Sequence, residues 1–159
     1  MLLAASSDGK LYFKFLDGIN NEVSVASFLI DLTAELDRDE TNWRASHVLL
    51  LDNCSSHKTQ LVREALKAAR FPTLYTAPAS YLVCPIEEVF SLVKKINTGD
   101  ITTPYLLEAA ARKISHLSNK QRIQLKLAQY LRNLDKLSVI NIFKRSLKRL
   151  PILLRGAEI

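Results

Sequence analysis

The sequence predicts an α/β chain, a mixed sheet flanked by helices and followed by a purely helical extension. Three observations predict it. Two short apolar runs, Leu2–Ser6 and Leu11–Phe15, are separated by Asp8-Gly9, a hairpin signal. The run Val48-Leu49-Leu50-Leu51 is followed by a helical pattern and then by a second short run, Thr73–Thr76. Strand, helix, strand in that order is the unit of a parallel pair with a crossover. Beyond Asp100 the apolar residues recur only at helical spacing.

The elements follow in order. Leu2–Ser6 is a strand, Ser7-Asp8-Gly9-Lys10 a type I′ turn, and Leu11–Phe15 the return strand, rich in aromatics. Asp17-Gly18 and Asn20-Asn21 are loop residues. From Ser24 to about Arg38, Val25, Phe28, Leu29, Leu32 and Leu36 mark one helix face, with Ser24 as the expected N-cap. Asp39–Ser46 is a polar connection in which Trp43 is read as a packing anchor rather than a base-stacking residue. Val48–Leu51 shows no polar alternation and reads as a strand buried on both faces. Ser55 or Ser56 is expected to cap a helix carrying Leu61, Val62, Ala65, Leu66 and Ala69, ended by Phe71-Pro72. Ala77–Cys84 is loop. Pro85–Ile96 is helix, with Ile86, Val89, Phe90 and Val93 on one face and Glu87 off it. Asn97–Asp100 ends it. Helices are expected over Tyr105–Leu117, Gln121–Leu131 and Leu134–Leu150, the last stopped by Pro151.

Composition narrows the class. Of 159 residues, 48% are apolar and 24% charged, enough apolar material for a buried core. The division expected is a core over 1–98 and a basic helical extension over 99–159. Residues 1–93 carry a net −4 and residues 94–159 a net +10, which together give the chain's +6. An acidic half beside a basic half suits a polyanionic partner. No apolar run approaches a membrane span, and Met1–Ala5 lacks the basic start of a secretory signal. The two cysteines, Cys54 and Cys84, are read as small buried side chains of a reducing compartment. Cys54-x-x-His57 has no second pair to complete a zinc site.

The centre of the chain carries the chemistry. Asp52 ends the Val48–Leu51 strand, a position where ligand-binding groups collect in open α/β sheets. Glu87 stands in the first turn of the helix begun by Pro85, with 34 residues between the two acids. Asp52-Asn53-Cys54-Ser55-Ser56-His57 and Pro78-Ala79-Ser80-Tyr81-Leu82-Val83-Cys84-Pro85-Ile86-Glu87 together resemble the catalytic core of mariner-like DDE transposases, an RNase H-like group. The resemblance covers roughly the first hundred residues. Phe90 stands where that family often has Trp, and Lys94 matches a late basic residue. Tyr81, Leu82 and Cys84 depart from its pattern of Pro, Asp and Asn.

The resemblance implies an RNase H-like mixed sheet and DNA strand cleavage and transfer, the chemistry of transposition and DNA integration. It implies Asp52 and Glu87 as catalytic acids and ligands of Mg²⁺ or Mn²⁺, hard cations suited to carboxylates. Asn53, His57 and Lys94 are implied near DNA. His57 could approach phosphate, orient Asp52, cap the following helix or face solvent. Lys144, Arg145, Lys148 and Arg149 form a basic quartet on one side of a late helix, either a backbone contact to DNA or a solvated face. The family's first strand, which carries its first acid, has no counterpart before Leu2. The expected sheet is therefore incomplete, its hairpin separated from the Val48–Asp52 strand, and a homodimer is one way for the open edges to find partners. Asp8, Asp17 and Asp31 are not placed to replace the missing acid. The expectation is an N-terminally truncated, inactive transposase fragment that binds DNA and no small-molecule substrate. It would belong in a nucleus or a bacterial cytoplasm and not be secreted. The alternative is a non-catalytic nucleic-acid-binding or helical interaction protein on a degenerate transposase scaffold.

Overall fold

The computed structural model describes residues 1–76, 84–94 and 118–156. The expected loop over 77–83, the end of the Pro85 helix past Lys94 and the helix expected over Tyr105–Leu117 lie outside the described residues. The chain divides into two units, one formed by Met1–Ala4 and Tyr12–Cys84, the other by Ala5–Leu11 and Pro85–Ile159.

Strands β1 (Leu2–Ala5) and β2 (Leu11–Lys14) form the expected hairpin. Its turn is not type I′, which needs positive φ at both central residues. Only Gly9 has positive φ here, at 91°, and Gly9 N–H donates to Ser6 O at 3.0 Å. Ser7 and Asp8 thus keep ordinary right-handed backbone, and glycine takes the one left-handed position.

Helix α1 (Glu22–Asp39) begins two residues before the predicted cap. Asn21 is the N-cap and accepts from Ser24 N–H at 3.0 Å, while Ser24 Oγ accepts from Asn21 N–H at 2.9 Å. Ser24 is therefore the third residue of a reciprocal capping box, because Asn21 offers a short acceptor one turn earlier. The predicted apolar face holds: Val25, Phe28, Leu29, Leu32 and Leu36 are all buried. Lys14 ties β2 to α1 by donating to Ser27 Oγ at 2.9 Å and Asp31 Oδ2 at 2.5 Å.

The polar connection contains a short helix, α2 (Trp43–Ser46). Trp43 is the anchor it was expected to be, 1% exposed and edge-on to Phe71 with ring centroids 4.5 Å apart. Its Nε1–H donates to Asp37 Oδ1 at 2.8 Å, and the Arg44 guanidinium lies 4.3 Å over its ring. Arg44 also donates to both Asp37 oxygens and, through Nε, to Ala69 O at 2.9 Å. The Arg44 and Trp43 hydrogen bonds hold the Asp37 carboxyl below its ordinary range, against a smaller opposing effect of desolvation. A depressed folded pKa gives stability that is present above the unfolded value, near pH 4, and is lost as pH falls through the folded one. Asp37→Asn should therefore flatten the acid limb of stability. Urea midpoints from pH 5 to pH 2.5 with the same slope in both proteins would refute this.

Strand β3 (Leu49–Leu51) pairs in parallel with β4 (Thr73–Tyr75), Leu50 opposite Leu74. β3 is not buried on both faces. Leu49 and Leu51 pack on the core, but Val48 is 58% and Leu50 44% exposed. Among the described residues of this unit, the helices cover the face of Leu49 and Leu51, and Leu50 and Leu74 stay exposed. Among the described residues no ladder joins β1–β2 to β3–β4, the separation expected from the sequence. Between the strands lie a 3-10 turn, Ser55–His57, and helix α3 (Gln60–Ala69). Thr59, not Ser55 or Ser56, is the N-cap of α3, its side chain accepting from Val62 N–H. Both serines fall in the 3-10 turn or beside it, too early to reach the first α-helical amides. Arg70, at φ 51°, closes α3 in the left-handed region. Cys84 is buried as expected, whereas Cys54 is exposed, since its loop runs along the surface with Cys54 Sγ 3.1 Å from Ser56 Oγ.

In the second unit, α4 (Pro85–Lys94) packs on α6 (Lys136–Gly156), and α5 (Asn119–Asn133) precedes α6. Val89, Leu131, Val139 and Ile142 are buried. Ser118 and Gln121 cap α5 reciprocally. Pro151 does not stop α6, which continues to Gly156. Proline removes one N–H, that to the Leu147 carbonyl, and Leu147 is exposed, so solvent can satisfy the freed group. The Ser6–Lys10 turn also belongs to this unit. A Cβ on Gly9 would lie 2.7 Å from Lys136 O. No helix among the described residues is long and apolar enough to cross a membrane.

Candidate active site

Asp52 follows β3 directly, so the strand delivers its carboxylate to the sheet's C-terminal end. The polar residues after it fix that carboxylate. Cys54 N–H donates to Asp52 Oδ1 at 3.1 Å, an Asx turn, and His57 Nδ1 lies 2.7 Å from the same oxygen. Among the described residues Oδ2 has no partner. The turn is itself pinned to β4. Asn53 Nδ2 donates to Thr76 O, and Tyr75 O–H donates to His57 O at 3.1 Å. Of the groups open to His57, Asp52 is the one its Nδ1 lies against, in a close contact without hydrogen-bond geometry. Asn53 bonds to the backbone of Thr76, the residue after β4.

Glu87 is in the first turn of α4, exposed, with no hydrogen bond or ion pair among the described residues. Its neighbour Glu88 faces α6. Glu88 Oε1 is 2.7 Å from Arg149 NH1, and Oε2 accepts from Arg145 Nε at 3.2 Å and NH2 at 2.8 Å. Arg145 and Arg149, half of the basic quartet, are thus paired within the unit, whereas Lys144 and Lys148 are exposed. Lys94 is exposed in the last turn of α4. Asp52 belongs to the first unit and Glu87 to the second.

Sequence reading missed Thr59, Tyr75 and Glu88 as parts that hold the candidate residues. A Thr just before the apolar pattern was a legible cap signal. The Glu88 pairings join residues 57 apart in sequence, and no local pattern carries them.

The residues partly fit a hard divalent cation. Both candidate acids are exposed carboxylates with a free oxygen, the donor type such cations take. Among the described residues, however, no group of three or more His, Cys, Asp or Glu could hold a metal ion.

Comparison with solved structures finds the Mos1 transposase catalytic domain bound to raltegravir with Mn, at TM-score 0.58 and 17% identity, covering 94% of this chain and 68% of that one. The same domain with Mg gives TM-score 0.57 at 17% identity, again 94% and 68%. The catalytic domain of Mos1 mariner transposase alone gives 0.58 at 17% identity, 94% and 67%. At that identity the likeness is one of fold, an RNase H-like mixed α/β architecture. No curated protein sequence matches. The family described as DDE superfamily endonuclease matches residues 1–100, well over half of the chain. With the acid at the end of β3 and the acid at the start of α4 both inside that match, the chain belongs to the DDE superfamily endonuclease family.

Proposed function

We propose that the chain is a DNA-directed transposase-type catalytic segment in which Asp52 and Glu87 are the metal-ligating acids. The observation that carries this is Asp52. Its carboxylate stands at a strand end with Oδ1 accepting from Cys54 N–H and lying 2.7 Å from His57 Nδ1, and with Oδ2 free among the described residues. Glu87, one helix-opening proline later in the family spacing, supplies the second carboxylate. Bound Mg²⁺ or Mn²⁺ would polarise a phosphodiester for in-line attack. The chain's own part is to present two oriented carboxylates, with Lys144 and Lys148 as contacts to DNA phosphate. On this reading the chain binds metal and DNA. The functional division is the core over 1–98 and the basic extension over 99–159. The proposed action on DNA fits a nucleus or a bacterial cytoplasm.

Titration of Mn²⁺, followed by the loss of the free-ion paramagnetic resonance signal, tests the reading. Asp52→Asn and Glu87→Gln keep side-chain shape and should each weaken binding about tenfold or more. Binding unchanged in both variants would remove the metal assignment.

A further inference from the structure

We infer that Arg145 and Arg149 are positioning residues for the acid that opens α4, and that Glu88 is the anchor of Glu87 rather than its alternative. The inference rests on the reading of Glu87 as a cation ligand.

Glu87 and Glu88 are adjacent in one helical turn, and a cation could in principle take either. The structure separates them. Glu88 Oε2 accepts from Arg145 at 2.8 Å and 3.2 Å, and Oε1 is ion-paired with Arg149 at 2.7 Å without hydrogen-bond geometry. A dication brought to Glu88 would meet two guanidinium charges. Glu87 has no partner among the described residues and stands about 100° further round the helix.

The two arginines are one turn apart on α6, so they hold the carboxylate from two successive levels. Beneath them the contact is apolar: Val89, Val139 and Ile142 are each no more than 1% exposed. Apolar burial is non-directional and leaves rotation and sliding of α4 weakly specified. Charge-assisted hydrogen bonds have direction. With Glu88 turned to α6, Glu87 is turned to solvent. The arginine side chains are 54% and 44% exposed, and exposed pairs add little to stability. Loss of the clamp should therefore show in metal affinity more than in melting.

The test uses the full chain and MnCl₂ alone. Arg145→Met with Arg149→Met should weaken Mn²⁺ binding 10- to 100-fold, the usual effect of losing residues that orient a ligand, with a melting temperature near that of the parent. Arg149→Lys, which keeps an end-on contact to Oε1, should retain the parent affinity. In the double variant the residual binding should become sensitive to Glu88→Gln, because Glu88 is released to compete. If the double variant fails to fold, Arg149→Met alone carries the test. Parent-like Mn²⁺ affinity in the double variant, with binding lost in Glu87→Gln, would overturn the inference and leave the metal assignment standing. Parent-like affinity in Glu87→Gln would remove both.

Discussion

Trp43→Ala should destabilise the first unit by about 3–5 kcal/mol, the range for deleting a large buried aromatic. That is a large part of the roughly 5–15 kcal/mol by which a domain of ordinary size is stable. Three things go together. The indole is 1% exposed, so its removal leaves a cavity that Phe71 can fill only in part. Its Nε1–H is the donor to Asp37. Its ring is the surface on which Arg44 lies, and Arg44 reaches on to the carbonyl of Ala69 at the end of α3. The substitution thus loosens the α1 C-terminus, α2 and the α3 C-terminus at once. Trp43 is the chain's single tryptophan, so fluorescence disappears with it and urea unfolding is best followed by helical circular dichroism. A midpoint within experimental error of the parent would show that the core closes over the site.

Gly9→Ala should cost about 2–4 kcal/mol, combining left-handed backbone strain with overpacking. The φ of 91° alone disfavours any L side chain. The new methyl carbon would also lie 2.7 Å from Lys136 O and 3.1 Å from Lys136 Cα, and backbone cannot swing aside as a side-chain tip can. Gly9→Asn tolerates the left-handed backbone better but still carries a Cβ. It should be nearly as destabilising as alanine if the close approach dominates. If strain dominates, it should be distinctly milder. Thermal melts of the two variants decide between the causes, and a parent-like melt for Gly9→Ala would refute both.

Legibility in the sequence followed the range of the interactions involved. The hairpin, the α1 face, the Leu49–Leu51 strand and the α4 face are local patterns, each readable from a dozen residues or so. The candidate acids Asp52 and Glu87 stood out because two short motifs at a fixed separation carry them. Termini were harder. Asn21 and Thr59 displaced Ser24 and the Ser55-Ser56 pair as caps, because several acceptors stood within one turn and only geometry chose among them. The exposure of Leu50 depended on which face of the β3–β4 pair received helices, and no property of the strand itself encodes that. The role of Glu88 depended on arginines more than fifty residues away. Pro151 was misread for the opposite reason: a strong local rule gave way to a helix near its end, where one lost amide matters little.

The Ser6–Lys10 turn has a consequence for synthesis. The Lys136 backbone against which Gly9 rests is made 127 positions after it. At roughly 5–20 residues per second, that is a delay of about 6–25 s. During it the tip must remain folded on the strength of its own hydrogen bonds, without its cover. The second unit is therefore closed by two segments far apart in the chain. A single proteolytic cut anywhere between residues 12 and 84 would separate it into two pieces, each lacking what the other holds.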